Sequence, residues 1–167
     1  MNREDFEVLN NGYIYFDNGA TTFKPKCVLD SIKDYYTKYT ANAHRGDYDF
    51  SLIVDEKYEN TRSLVKDFIS AKKAKEIIFT SGATMSLNQI IFGYFKNYLK
   101  KDDEVLITKA EHASNILPWF ELENTNQIKV NYIPLNENHI LELETLKKSI
   151  TNHTKVISIA HITNVVG

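Results

Sequence analysis

Small and hydroxyl-bearing residues fill the segment Thr80-Ser81-Gly82-Ala83-Thr84, which lies between an apolar run and a helical pattern. At such a strand-to-helix turn, backbone N–H groups at the positive end of the helix dipole can bind phosphate. Gly82 would let the backbone approach the anion, and Ser81 or Thr84 could add a hydroxyl. Taken alone, the segment is more typical of an ordinary helix cap, in which Ser or Thr precedes the first turn.

Two further polar clusters follow later apolar runs. His112 lies in the segment AEHASN, where an imidazole could stack on a flat ring, act as an acid or base, or bind a metal. Asn164 offers one acceptor and two donors. Alternatively, His112 is a helix-start residue with ordinary hydrogen bonds, and we expect His161 to be a core histidine. Because ligands of open α/β sheets bind beyond the carboxyl ends of strands, we expect all three clusters along one sheet edge.

Two loops complete the candidate chemistry. A small-residue turn carries Asn18, Gly19 and Ala20, and a second loop places His44 beside Arg45, where an anion or carboxylate could bind. A solvated turn is the alternative for both. The sequence contains no GxGxxG, GxxxxGKS/T or GxSxG motif. It also lacks HExxH and paired-histidine spacing, so we predict no metal site.

The elements that must position these residues alternate between helical and strand patterns. Such alternation with short connections predicts an α/β fold with a mostly parallel sheet and flanking helices. The continuous apolar strands indicate a sheet that is covered on both faces. The predicted helices are Lys26–Thr40, Val54–Ser70, Thr84–Leu99, Asn115–Asn124 and Glu142–Ile150, and the predicted strands are Glu76–Thr80, Glu104–Thr108, Ile128–Ile133 and Thr154–Ile162.

Composition narrows the class of protein. The 167 residues carry 20 Lys+Arg against 22 Asp+Glu, a formal charge of −2, which argues against nucleic-acid binding and a polybasic membrane patch. The single cysteine, Cys27, excludes an internal disulfide framework, and we expect it to be a packing residue. The N-terminus resembles neither a signal nor a transit peptide, and no apolar run is long enough to cross a membrane. We therefore expect a cytoplasmic protein.

The ordered motifs resemble those of class V pyridoxal-phosphate (PLP) enzymes, and are most similar to SufS-type cysteine desulfurases and selenocysteine lyases. Each motif alone is weak, but the set is specific and extends over essentially the whole chain. The motifs are Asp17-Asn18-Gly19-Ala20-Thr21-Thr22, Asn42-Ala43-His44-Arg45-Gly46, Phe79-Thr80-Ser81-Gly82-Ala83-Thr84, Glu111-His112-Ala113-Ser114-Asn115 with Pro118-Trp119, and Asn164-Val165-Val166-Gly167.

The resemblance implies how the cofactor pyridoxal 5′-phosphate would be bound. Gly82, Ala83 and Thr84 would hold its phosphate through backbone N–H groups and the threonine hydroxyl. His112 would stack on the pyridine ring. Asn164 would hydrogen-bond the ring oxygen and lie near the substrate carboxylate.

The resemblance also assigns the substrate side. Asn18, Gly19 and Ala20 would line the substrate entrance, and His44 and Arg45 would lie near the active site at a homodimer interface. The implied substrate is cysteine or selenocysteine, and the implied reaction converts cysteine to alanine and leaves the sulfur as an enzyme persulfide. A sulfur-acceptor protein and a role in iron–sulfur cluster assembly follow from the same resemblance.

Departures from the family pattern limit the assignment. Gly19 replaces a usual alanine, Ala83 a frequent threonine, and Ala113 the second histidine of EHHAN. We expect the Schiff-base lysine, the aspartate at the pyridine nitrogen, the sulfur-accepting cysteine and the carboxylate-binding arginine beyond Gly167. We therefore assign no catalytic residue, and Cys27 does not align with the sulfur-accepting cysteine.

The resulting prediction is the N-terminal portion of the large domain of a fold type I PLP-dependent enzyme. Residues 1–50 would form an arm, a first helix and substrate-entrance loops, and residues 51–167 a partial cofactor-binding domain. We expect the chain alone to be inactive. The alternatives are another class V enzyme, such as an aminotransferase or epimerase, and a non-catalytic remnant that acts only as a binding module. A generic nucleotide-binding domain is disfavoured because the glycine fingerprint is missing.

Overall fold

The computed structural model describes residues 2–166. The chain divides into two structural units. The first unit ends at Ile78 and the second begins at Phe79. The first contains helices α1 (Lys26–Lys38) and α2 (Asp49–Phe68), together with short 3₁₀ turns over Arg3–Asp5, Glu7–Asn11 and Ala74–Glu76.

Residues at the N-termini of α1 and α2 explain where the helices of the first unit begin. Pro25 caps α1, a place where the missing N–H of proline leaves no helical hydrogen bond unmade. Cys27, in the first turn of α1, is exposed, so its predicted packing role is wrong. Helix α2 begins at Asp49, five residues before the predicted Val54, and Ser51 in its first turn is fully buried and donates to the carbonyl of Gly46 at 3.1 Å.

The second unit contains a parallel sheet with flanking helices, as the sequence predicts. Strand β1 (Glu104–Thr108) lies in the centre, and β2 (Lys129–Ile133) and β3 (Thr154–Ile157) pair with it in parallel on either side. The helices are α3 (Ala83–Ile90), α4 (Lys96–Tyr98), α5 (Leu117–Asn126) and α6 (Leu143–Ser149), with a 3₁₀ turn over Ala113–Asn115.

The core of the second unit forms around β1. All five residues of this strand are buried, whereas most residues of β2 and β3 are not, so the expectation of covered strands is met only by the central one. Trp119 and Leu122 on α5 are 1% and 0% exposed and belong to the same apolar cluster as Val105 and Ile107. The continuous apolar run in β1 therefore reflects a strand buried on both faces.

Three predicted elements differ from the structure. The predicted strand Glu76–Thr80 is a 3₁₀ turn followed by unpaired chain, and Ile78 is 74% exposed. A strand needs a partner, and in residues 2–166 none pairs with this segment. The predicted helix Thr84–Leu99 is interrupted by a π-helical turn over Ile91–Phe95. Strand β3 ends at Ile157 rather than Ile162, so His161 lies outside the sheet and is exposed, which makes its predicted core position wrong.

Within the described residues, no helix is both long and apolar enough to pass through a membrane.

Candidate functional site

The N-terminus of α3 lies open in the second unit. Gly82 precedes the helix, and its carbonyl accepts the first helical hydrogen bond, from Ser86 N at 3.1 Å. The N–H groups of Ala83 and Thr84 precede that bond and have no acceptor within the helix. Among the described residues, no side chain caps the helix from the N-cap position, which is Gly82. The Thr80 hydroxyl lies 2.7 Å from the Ser86 hydroxyl and accepts the Gly82 N–H at 3.4 Å, before the helix begins. The interpretation as a side-chain-capped helix start is therefore wrong.

His112 follows β1 and begins the 3₁₀ turn Ala113–Asn115. Its Nδ1 lies 2.8 Å from the Ser114 hydroxyl and accepts the Ser114 N–H at 3.2 Å, so it is a helix-start residue with ordinary hydrogen bonds. The residue is nevertheless exposed. One edge of the ring is thus fixed by Ser114 while much of the side chain remains accessible.

Two cavities of the second unit share His112. The first, of about 410 Å³, is also lined by Thr84, Phe92 and Pro118, and we call it the Thr84 cavity. The second, of about 470 Å³, is also lined by Asn164, and we call it the Asn164 cavity. His112 therefore lies between the residue at the start of α3 and the residue beyond β3, although 80 positions of sequence separate Thr84 from Asn164.

These residues fit a group that carries a phosphate and a flat ring. A Cβ atom on Gly82 would meet no atom beyond the adjacent residues within 4 Å, so the space beside Gly82 at the start of α3 is open. An anion there would receive backbone hydrogen bonds and the favourable end of the helix dipole. The accessible imidazole of His112 offers a stacking surface in the neighbouring cavity wall. The chemistry of the donors thus matches PLP.

The remaining predicted residues belong to the first unit. Asn18 lines a cavity of about 510 Å³ with Arg3, Tyr15 and Phe23, and the amide of Ala20 donates to Asp17 O at 3.2 Å within a turn. Gly19 occupies the same turn.

The second loop of the first unit is held by α2. His44 has a positive φ of 59°, and its ring nitrogens lie 3.6 Å from Asp55 Oδ1 and 3.4 Å from Glu59 Oε1. Arg45 follows it and is exposed. The structure therefore brings the imidazole to two carboxylates, a contact that the sequence did not indicate.

Sequence reasoning missed a buried polar network beside His112. Glu111 and Asn115 are each 8% exposed, and Asn115 donates to Glu111 Oε2 at 2.8 Å. Trp119 donates from its indole nitrogen to Asn115 Oδ1 at 3.4 Å. The available signal was the spacing of Asn115 and Trp119, because residues four apart share one side of a helical turn. Glu111 precedes the helical residues, so this rule does not extend to it.

Comparisons with known sequences identify the family. The sequence model described as aminotransferase class-V matches residues 14–167. A protein of Borreliella burgdorferi named probable cysteine desulfurase is 46% identical, over 99% of this chain and 40% of the relative. A Plasmodium berghei protein named putative cysteine desulfurase PbSufS is 41% identical, over 95% of this chain and 30% of the relative. The chain thus spans about 30–40% of the length of these relatives.

Solved structures give the same result. The apo structure of cysteine desulfurase from Thermococcus onnurineus NA1 superposes with a TM-score of 0.91 at 38% identity, over 99% of this chain and 40% of that one. The cysteine desulfurase CsdA from Escherichia coli superposes with a TM-score of 0.87 at 28% identity, over 99% and 41%.

Proposed function

Because the chain belongs to the aminotransferase class V family, we propose that it supplies the phosphate-binding and ring-binding part of a PLP-dependent cysteine desulfurase. One observation carries the proposal: Thr84 and Asn164 line two cavities that share His112, in a chain whose relatives are named cysteine desulfurases. The family indicates the cofactor, and the names of the relatives indicate the substrate.

The phosphate is assigned to the start of α3. The backbone N–H groups of Gly82, Ala83 and Thr84 would donate to it, that of Gly82 in place of its 3.4 Å contact with Thr80 Oγ1. The Thr84 hydroxyl would add one further donor. Ala83 stands where the family often has threonine, but its backbone N–H is retained, so this departure removes one hydroxyl and no amide. The open space at Gly82 supports the assignment.

His112 and Asn164 are assigned to the ring of the cofactor. The His112 imidazole stacks on the pyridine, with its orientation set by the contact of Nδ1 with Ser114. Asn164 donates to the ring oxygen and reaches the substrate carboxylate. When bound, PLP supplies an electron sink for the carbon that changes in the reaction, and the protein's part is to bind and orient it.

The proposal for the complete protein is wider. The complete protein would convert cysteine to alanine and transfer the sulfur to a cysteine thiolate outside residues 1–167. The residues on the substrate side would be Asn18, Gly19, Ala20, His44 and Arg45. We also propose a homodimer, a protein that accepts the sulfur, a role in iron–sulfur cluster assembly and a cytoplasmic location. The support for these is the resemblance to SufS-type enzymes, and selenocysteine is the competing substrate.

A chimeric enzyme tests the proposed function. Residues 1–167 would replace the matching N-terminal part of the Borreliella burgdorferi relative, which would supply the remainder of the fold. With PLP, cysteine and a reductant, we expect the chimera to release alanine and sulfide in equal amounts. Chimeras that carry Thr84→Val or His112→Ala serve as matched variants and should need more PLP for the same rate.

The outcomes separate the alternatives. A folded chimera that releases no alanine, while the intact relative does, contradicts the proposal and favours a non-catalytic remnant. Transfer of the amino group to a keto acid in place of sulfur release would favour an aminotransferase. Sulfide release by residues 1–167 alone would contradict the assignment of the sulfur-accepting cysteine to another part of the protein.

A further inference from the structure

We propose that Glu111 is a positioning residue whose buried carboxylate fixes the loop of His112 to the chain that follows β3. This function for Glu111 depends on the proposed function only in that His112 contacts the cofactor. The attachment of one segment to the other is a property of the second unit itself.

The carboxylate uses both of its oxygens. Oε1 accepts the Thr108 hydroxyl at 2.7 Å, and Oε2 accepts the Asn115 side-chain amide at 2.8 Å. The backbone N–H of Ala160 lies 3.0 Å from Oε1 and 2.9 Å from Oε2. Every partner is a donor, and a carboxylate with two acceptor oxygens is the side chain that can receive them all. Hydrogen bonds to a charged acceptor are stronger than those between neutral groups.

Asn115 closes the network from the other side. Its Oδ1 accepts the Ser158 hydroxyl at 2.6 Å, and its Nδ2 lies 3.3 Å from the Ser158 carbonyl. Ser158 and Ala160 both follow β3. The contact of Ser158 with Asn115 and that of Ala160 with Glu111 therefore tie this segment to the loop after β1. The connected residues are 43 and 49 positions apart in sequence, which means that no local turn could replace the contacts.

The hydrogen bonds of Glu111 and Asn115 hold the backbone on both sides of His112, and its ring takes no part in them. Glu111 precedes His112 directly, and the His112 carbonyl accepts the amide of Asn115 at 2.8 Å. Both anchors are buried, whereas His112 is exposed. The backbone of His112 is therefore held on both sides, and its ring is placed between the Thr84 cavity and the Asn164 cavity.

The Glu111 carboxylate also holds the segment that leads to Asn164. Ala160 is four positions before Asn164, and beyond Ile157 this segment has left the sheet. Within residues 2–166, the Ala160–Glu111 contacts are thus the hydrogen bonds nearest to Asn164 that tie this segment to the loop of His112. We infer that loss of the carboxylate loosens both walls of the Asn164 cavity together.

Glu111→Gln tests this with little change in size. An amide nitrogen at the place of Oε2 would face Asn115 Nδ2, which is also a donor, and one at the place of Oε1 would face the Thr108 hydroxyl. In either orientation the Ala160 N–H loses one of its two acceptor oxygens and the negative charge. In the full chain without cofactor, we expect hydrogen exchange at the Ala160 amide to accelerate about tenfold or more. The His112 ring signals in NMR should shift or broaden. Glu137→Gln, at an exposed glutamate of the second unit, should change neither.

Further variants keep the test decisive. If Glu111→Gln does not fold, Ser158→Ala removes only the bond to Asn115 and should give a smaller change in the same direction. Glu111→Asp keeps the charge and should restore part of the protection at Ala160. Unchanged exchange at Ala160 and unchanged His112 signals in folded Glu111→Gln would overturn the proposal. These measurements need no PLP, so a failure to bind PLP would count against the proposed function and leave the test of Glu111 intact.

Discussion

Asn131 on β2 donates a hydrogen bond from Nδ2 to Oε1 of Glu104 on β1 at 2.6 Å. The other carboxylate oxygen accepts the hydroxyls of Thr154 on β3 and of Thr151 just before it. One glutamate at the amino end of β1 therefore joins all three strands, while Glu111 joins two segments beyond the carboxyl ends of β1 and β3. The sheet is fastened by a buried carboxylate at each end.

The first prediction concerns Glu104 and pH. Burial alone would raise the pKa of Glu104, but hydrogen bonds from Thr154, Asn131 and Thr151 outweigh it and hold the pKa below its usual value. A lowered pKa in the folded state stabilises the fold above the pKa of an unfolded glutamate, and this contribution is lost as pH falls through the folded pKa. At pH 7 we expect Glu104→Gln to lower the free energy of unfolding by about 1–2 kcal/mol.

Urea unfolding at several pH values measures this effect. The difference between wild type and Glu104→Gln should shrink as pH falls below about 4.3, the value for an unperturbed glutamate. Glu137→Gln, at an exposed position, should show no such trend. A difference that stays constant or grows in acid would contradict the assignment.

The second prediction concerns the phosphate site. Thr84→Val keeps the backbone N–H and the size of the side chain but removes the hydroxyl. We expect PLP affinity to fall about tenfold, since a hydrogen bond to a charged group is lost. Equilibrium dialysis with absorbance detection measures the affinity. Thr125→Val, on the exposed surface of α5, is the matched control, and an equal loss in both variants would argue against the site.

The third prediction concerns stacking by His112. His112→Ala should weaken PLP binding about five- to tenfold, because an aromatic contact is lost. His112→Phe retains a flat ring and should recover part of the loss, which a purely hydrogen-bonding role would not allow. His153→Ala, at an exposed histidine, should bind PLP as wild type does. If phenylalanine and alanine behave alike, His112 does not act through stacking.

The fourth prediction concerns the core under the site. Leu122 on α5 is fully buried, whereas Leu117 on the same helix is 63% exposed. Leu122→Ala should lower the free energy of unfolding by about 2–5 kcal/mol, because it removes buried apolar area and leaves a cavity. Leu117→Ala should change it by about 0.5 kcal/mol or less. Similar losses in thermal or urea unfolding would contradict the described packing.

Much of the second unit could be predicted from its sequence because its signals are local. The apolar run Glu104–Thr108 and the proline at the start of α5 identify a buried strand and a helix start without reference to the rest of the chain. The strand expected at Glu76–Thr80 failed for the opposite reason. Its residues favour extended backbone, but a strand also needs a partner, and partners are not encoded locally.

The candidate site likewise contains residues that could be predicted from local sequence and contacts that could not. Thr84, His112 and Asn164 could be named because small or polar residues after apolar runs indicate a ligand edge. The buried contacts of Glu111 with Ala160 could not be named, because they join segments 49 positions apart. His161 was misplaced because an alternating pattern predicts a buried side only while the strand continues, and β3 ends at Ile157.

The most direct test compares PLP with pyridoxal, which lacks the phosphate, in equilibrium titrations of this chain. If the start of α3 holds the phosphate, PLP should bind about 100-fold tighter than pyridoxal, because several charge-assisted hydrogen bonds are lost with the phosphate. Thr84→Val should reduce that ratio. Equal affinity for the two compounds, as expected if their shared aldehyde reacted only with surface lysines, would contradict the account.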